Sequence, residues 1–189
     1  KASLNSEIKE IDLIKLKKLK YIDFVKLKPF IKRLNIQNNI VFKSKKFSRN
    51  LIDNLKIESN IAYGRLNIFK IVLISNSELN CKSNINLIEE FPIFYFNCSL
   101  ISNDKKKLLK KFEINFKEKS KLLNLKVVGN LNVINNKINF NLIEMNNNYK
   151  ATDGDLKYFK EAFENIVFDE NFLKIFDYSK FKEFILEIS

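Results

Sequence analysis

From Leu55 onward, apolar and polar residues alternate along the chain. Leu55, Ile57, Ser59, Ile61 and Tyr63 share one side against Lys56, Glu58 and Asn60 on the other. Successive side chains of a β-strand point to opposite faces, so this spacing predicts a strand buried on one side. Gly64 breaks the pattern, and Leu66 and Ile68 begin it again. Its phase moves at Phe69 to Ile71 and Leu73, which predicts a bulge. A turn at Asn76 and Ser77 leads to a third set, Leu79, Cys81, Ser83, Ile85 and Leu87. Pro92 then introduces a fourth, Phe94, Phe96, Cys98 and Leu100.

Beyond a turn at Ser102–Asp104, the lysines predict a short helical or irregular crossing, after which Phe112, Ile114 and Phe116 resume the alternation. The clearest hairpin follows. Leu125, Val127, Gly129, Leu131 and Val133 run into Asn135 and Asn136, residues that tolerate positive φ, and Ile138, Phe140 and Leu142 return. Gly129 at a strand centre predicts a bend or the close approach of a neighbouring aromatic. Short local links join all these strands, whereas parallel strands need long crossovers, so the expected topology is an antiparallel meander.

After Asn146–Asn148 the apolar spacing becomes helical. Thr152 followed by Asp155 reads as an N-cap, with Leu156, Phe159, Phe163 and Ile166 on one stripe. Asp169 is read as the cap of a second short helix with Phe172, Ile175 and Phe176. Ser179 is read as the cap of a third with Phe181, Phe184, Ile185 and Ile188. Each is too short to stand alone, so all three are expected to pack on the sheet. The fold class is therefore mostly β with C-terminal helices (α+β), an antiparallel meander able to curl into an open groove. Residues 51–146 form the sheet and 150–189 the helical cap. Residues 1–50 mix both periods around Pro29 and are assigned to the edge of the same β-rich module.

Composition adds origin more than activity. The chain has 27 Asn, abundant Lys, Ile and Phe, and no His or Trp, the bias of an AT-rich genome. Its net charge of +12 is uneven: residues 1–47 carry 13 basic and 4 acidic side chains, and residues 150–189 carry 6 and 9. Such asymmetry can attract an anionic surface, but a solvated lysine-rich face is the plainer reading. Without His there is no Ser-His or Cys-His pair and no His-based metal centre, and three scattered glycines cannot build a phosphate loop. The expectation is no enzyme, no cofactor and no metal. The acid pairs Glu89–Glu90 and Asp153–Asp155 are assigned structural roles. Cys81 and Cys98 lack metal-ligand spacing and are expected as two separate thiols, a disulfide being the alternative if their strands are neighbours. Nucleic-acid recognition is disfavoured, because base-edge readers usually lean on Arg, of which the chain has Arg33, Arg49 and Arg65 alone, and no recognition signature is present.

Over residues 55–188 the sequence resembles the C-terminal region of the AsmA-like proteins, the bacterial envelope family with TamB-type members. The likeness rests on the alternating strands Leu55–Leu87, the aromatic strand Phe91–Leu100, the hairpin VVGNLNVINNKINFNLIEM at Val127–Met145, and the tail that opens YKATDGDLKYFKEAFENIV. The resemblance implies a module for outer-membrane maintenance or phospholipid handling, on the periplasmic face of a bacterial inner membrane. It also implies an upstream part of the same polypeptide that carries the membrane anchor. The apolar groove would be lined by Ile57, Ile61, Leu79, Ile85, Phe94, Phe96, Leu131 and Phe140. The alternative is a basic structural or RNA-associated protein, such as an organellar ribosomal component.

Overall fold

The computed structural model describes residues 2–8, 28–44, 51–115, 122–168 and 178–187. Among them nine strands form one sheet in sequential order: β1 (Ala2–Ile8), β2 (Asn35–Lys43), β3 (Asn54–Ala62), β4 (Arg65–Ile74), β5 (Ser77–Asn86), β6 (Ile93–Ser102), β7 (Leu123–Asn132), β8 (Lys137–Met145) and β9 (Tyr149–Lys150). Four helices accompany them: α1 (Lys28–Ile31), α2 (Lys105–Lys111), α3 (Asp153–Val167) and α4 (Tyr178–Glu187). The sheet is not closed into a barrel. From β2 to β9 every neighbouring pair is antiparallel, as the short links between strands predict. The exception is β1, which pairs parallel with β2. Residues 9–34 separate these two strands, a connection long enough for the crossover that the sequence was expected to lack.

Tight hairpins follow from local chemistry. Tyr63 (φ 50) and Gly64 (φ 88) turn β3 into β4, and Ser75 (φ 50) and Asn76 (φ 64) turn β4 into β5. Two consecutive positive-φ residues match the right-handed twist of the strands they join. The second turn sits one residue earlier than the expected Asn76–Ser77. Ser77 instead begins β5, buried, where its hydroxyl donates to Ser102 Oγ at 2.7 Å. Beyond it, β4 keeps an unbroken register with both neighbours, so the bulge expected at Phe69 does not form. The irregularity lies instead between Val128 and Gly129 against β8. There the structure shows the close approach expected of Gly129: a Cβ at that position would meet the Asn139 carbonyl oxygen and, at 2.7 Å, Phe96 Cζ.

The lysine-rich crossing is helix α2, capped by the Asp104 carboxylate, which accepts from Lys107 N at 2.9 Å. Phe112 ends that helix and Ile114 follows outside any strand, so alternation does not resume there. Phe116 lies outside the described residues. At α3 the expected cap is complete. Thr152 Oγ1 accepts from Asp155 N, and the Asp155 carboxylate accepts from Thr152 N at 2.9 Å. The bond from Thr152 N, and after it one from the Thr152 hydroxyl to the same carboxylate oxygen, hold the Asp155 carboxyl below its usual range. Ser179 lies within α4 rather than capping it, and the helix expected after Asp169 falls outside the described residues.

Two apolar clusters lie between sheet and helices. In the larger, Phe163, Val167, Phe168 and Phe184 cover Ile85, Leu131, Val133 and Ile138, and Val167 is fully buried. Phe163 is its hub, packed edge-on against Phe140 (5.9 Å), Phe168 (4.9 Å) and Phe184 (5.0 Å). Glu164 fixes α3 over the start of β8, accepting from Ile138 N and from Lys137 Nζ, each at 2.9 Å. In the smaller cluster, Leu108 of α2 packs with Val72, Ile74 and Leu123. Phe163→Ala removes the hub and should lower unfolding free energy by about 3–5 kcal/mol in a urea titration. Gly129→Ala should cost roughly 1–3 kcal/mol in the same titration, because a backbone carbonyl and a packed ring must both give way.

Candidate functional site

Cross-strand register assigns every side chain of the sheet to one of two faces. Along one transverse row, Ile61 opposes Leu66, Leu66 opposes Ile85, Ile85 opposes Phe94, Phe94 opposes Leu131 and Leu131 opposes Ile138. This is the apolar face, and it carries all eight residues expected to line a groove. They are not equally accessible. Ile85 and Leu131 are buried in the cluster under α3 and α4, with Phe94, Phe96 and Phe140 packed against it. Leu79 packs against the α2 cluster. Ile57 and Ile61 are half-buried and belong to neither cluster.

The unclaimed part of this face contains a residue that the alternation misplaced. With β4 in unbroken register, Lys70 points to the apolar side, directly opposite Ile57 on β3 and Cys81 on β5. Ile68 and Val72 flank it along its own strand. The residue is half-buried, its ammonium has no hydrogen bond or ion pair among the described residues, and burial pushes its pKa below the ordinary 10.5. The signal was present in the sequence, since Leu66, Ile68, Lys70, Val72 and Ile74 alternate without interruption. The competing apolar run Phe69, Ile71 and Leu73 hid it.

Beside Lys70 the structure joins Cys81 to Cys98 in a disulfide, which corrects the expectation of two separate thiols. The two cysteines oppose each other on β5 and β6 with Cα atoms 4.1 Å apart, and Cys81 is 4% exposed. Close opposition at a cross-strand pair is what the linear spacing could not supply.

The other face is polar except along β4, whose Phe69, Ile71 and Leu73 also lie on it. It holds Glu58, Asn60, Asn67, Lys82, Asn84 and Asn97, together with Phe69 and Tyr95. A cavity of about 770 Å³ runs over it from Gln37 on β2 to Asn141 on β8, so the sheet is concave on its polar side. The described residues contain no group of three or more His, Cys, Asp or Glu able to hold a metal ion, and no described helix is long and apolar enough to cross a membrane.

Thiol labelling of the folded, unreduced chain should leave both cysteines unmodified, whereas Cys81→Ser should expose Cys98 to the reagent. Labelling of both cysteines in the native chain would contradict the pairing. No protein-family model, curated protein or solved structure matches the chain.

Proposed function

We propose that the chain is a non-enzymatic module of a bacterial cell envelope, of the AsmA-like kind, that contacts phospholipid through the β2–β4 half of its apolar face. Lys70 carries the reading. An ammonium drawn into an apolar surface with no partner among the described residues is costly, and its retention makes sense where an anionic group arrives to neutralise it. A phospholipid phosphate supplies that charge. Its acyl chains would lie along Ile57 and Ile61, each methylene removed from water contributing about 0.8 kcal/mol.

The reading narrows the expected groove. Ile85, Phe94, Phe96, Leu131 and Phe140 already fill a core, so lipid contact there would require α3 and α4 to leave. The disulfide supports an oxidising compartment such as the periplasm, because cytosolic thiols are kept reduced. In this reading an upstream segment of the same polypeptide holds the module at the inner membrane.

Lipid extraction and native mass spectrometry of the purified chain test this directly. Copurifying phospholipid is expected, with marked loss in Lys70→Met and in Ile57→Asn. Tight, salt-sensitive binding of single-stranded RNA without any lipid would overturn the reading in favour of a basic RNA-associated protein.

The pH dependence of stability offers an independent check. Folding disfavours the charged amine of Lys70, so between its folded-state pKa and 10.5 the unfolded chain binds more protons. Stability should therefore rise with pH through that window and level off above it. The component that disappears in Lys70→Met is the one to compare. Anionic lipid, by favouring the ammonium, should flatten it.

A further inference from the structure

The polar face carries an ordered feature that lipid contact on the opposite side does not use. One transverse row crosses the sheet as Gln37 on β2, Asn60 on β3, Asn67 on β4, Asn84 on β5, Tyr95 on β6 and Asn130 on β7. Each residue is the direct cross-strand partner of the next, and all six line the cavity. The register thus turns scattered positions into a line of amides broken by a single phenol, spaced by the inter-strand distance of about 4.8 Å. Asn139 extends the line on β8, its Nδ2 donating to Asn130 Oδ1 at 3.4 Å.

Chemistry selects the ligand class. A side-chain amide both donates and accepts, as a sugar hydroxyl does, so a row of amides matches a polyhydroxyl chain along its length. Among the described residues the Asn60 side-chain carbonyl oxygen has no hydrogen-bond partner, so a turn of that amide toward the cavity would let it accept from a ligand hydroxyl. Tyr95, 49% exposed, offers an amphipathic ring on which the C–H face of a sugar can lie, and Phe69 lines the same cavity. The lining has one carboxylate and one ammonium, Glu58 and Lys82, and Glu58 is already paired with Lys56 at 2.7 Å. This balance suits a neutral chain and gives a polyanion no basic track to follow. The cavity is an open trough running across the strands, a shape that suits an extended chain rather than a compact ligand.

We infer that the concave polar face is a binding site for a neutral oligosaccharide laid across the strands, its hydroxyls on the amide row and one sugar ring on Tyr95. Because side chains of the two faces alternate, this site is separable from lipid contact at Lys70.

The probes are cellohexaose and maltohexaose, two neutral glucose hexasaccharides, added separately to the purified chain and followed by NMR of the Asn and Gln side-chain amides. Binding of either is expected, with the shifts concentrated on the row from Asn60 to Asn130. Tyr95→Ala and Asn84→Ala should each weaken it about tenfold. Both side chains are exposed, and circular dichroism with a urea midpoint confirms that each variant remains folded. Lys70→Met should leave saccharide binding unchanged. Absence of binding by both hexasaccharides at millimolar concentration, or shifts unaffected by the two alanine variants, overturns the inference. So does binding of a single-stranded RNA or an acidic glycan in place of the neutral ones.

Discussion

The register of the meander is the constraint on which the rest of the molecule depends. A row of apolar side chains runs unbroken from Ile36 on β2 to Ile138 on β8, each the direct neighbour of the last. A slip of one residue between any two strands would send apolar side chains to the amide face and amides into the core. Short hairpins at Tyr63–Gly64 and Ser75–Asn76 hold this register locally, and the irregularity beside Gly129 lets β8 continue where the Phe96 ring crowds the backbone. Sheet order equal to chain order keeps each of these adjustments between immediate neighbours.

With register fixed, the two faces acquire different tasks. The apolar face must be covered, and helices do so at two places: α3 and α4 over β5–β8, with Phe163 at the centre, and α2 over the opposite end of the strands, with Leu108 inserted beside Val72 and Leu123. Between and beside these clusters lie Ile57, Ile61 and Lys70, which neither cluster takes up. The polar face needs no cover, and its concavity follows from the curl of an open, twisted sheet. Coverage by the described helices therefore decides which apolar residues are drawn into the two clusters.

Much of this architecture is legible without coordinates. The strands from Leu55 to Leu142 announce themselves by alternation, α3 by Thr152 with Asp155, and the tight contact at Gly129 by a glycine where a strand would otherwise place a side chain. The departures along β4 and beyond α2 share one cause, local ambiguity. At residues 66–74 both faces of β4 are apolar, so two alternations compete and a bulge reconciles them on paper; pairing with β3 and β5 leaves no room for one. Phe112 and Ile114 continue an apolar rhythm beyond α2, yet they follow a helix end rather than a strand. The parallel pairing of β1 depends on a partner more than thirty residues away along the chain.

Sequence alone determined the secondary-structure periods and the apolar face, because side-chain alternation is written residue by residue. It also named the eight groove candidates as a set, and they do share one side of the sheet. Only the tertiary structure decided what covers that side, since the packing of Phe163 and Phe184 over Ile85 and Leu131 joins segments that periodicity treats separately. Only pairing across strands brought Cys81 to Cys98, placed Lys70 among isoleucines, and aligned Gln37, Asn60, Asn67, Asn84, Tyr95 and Asn130 into one row. The physical reason is the same in each case: alternation gives each side chain its face, but its neighbours come from register with other strands, which no local pattern contains.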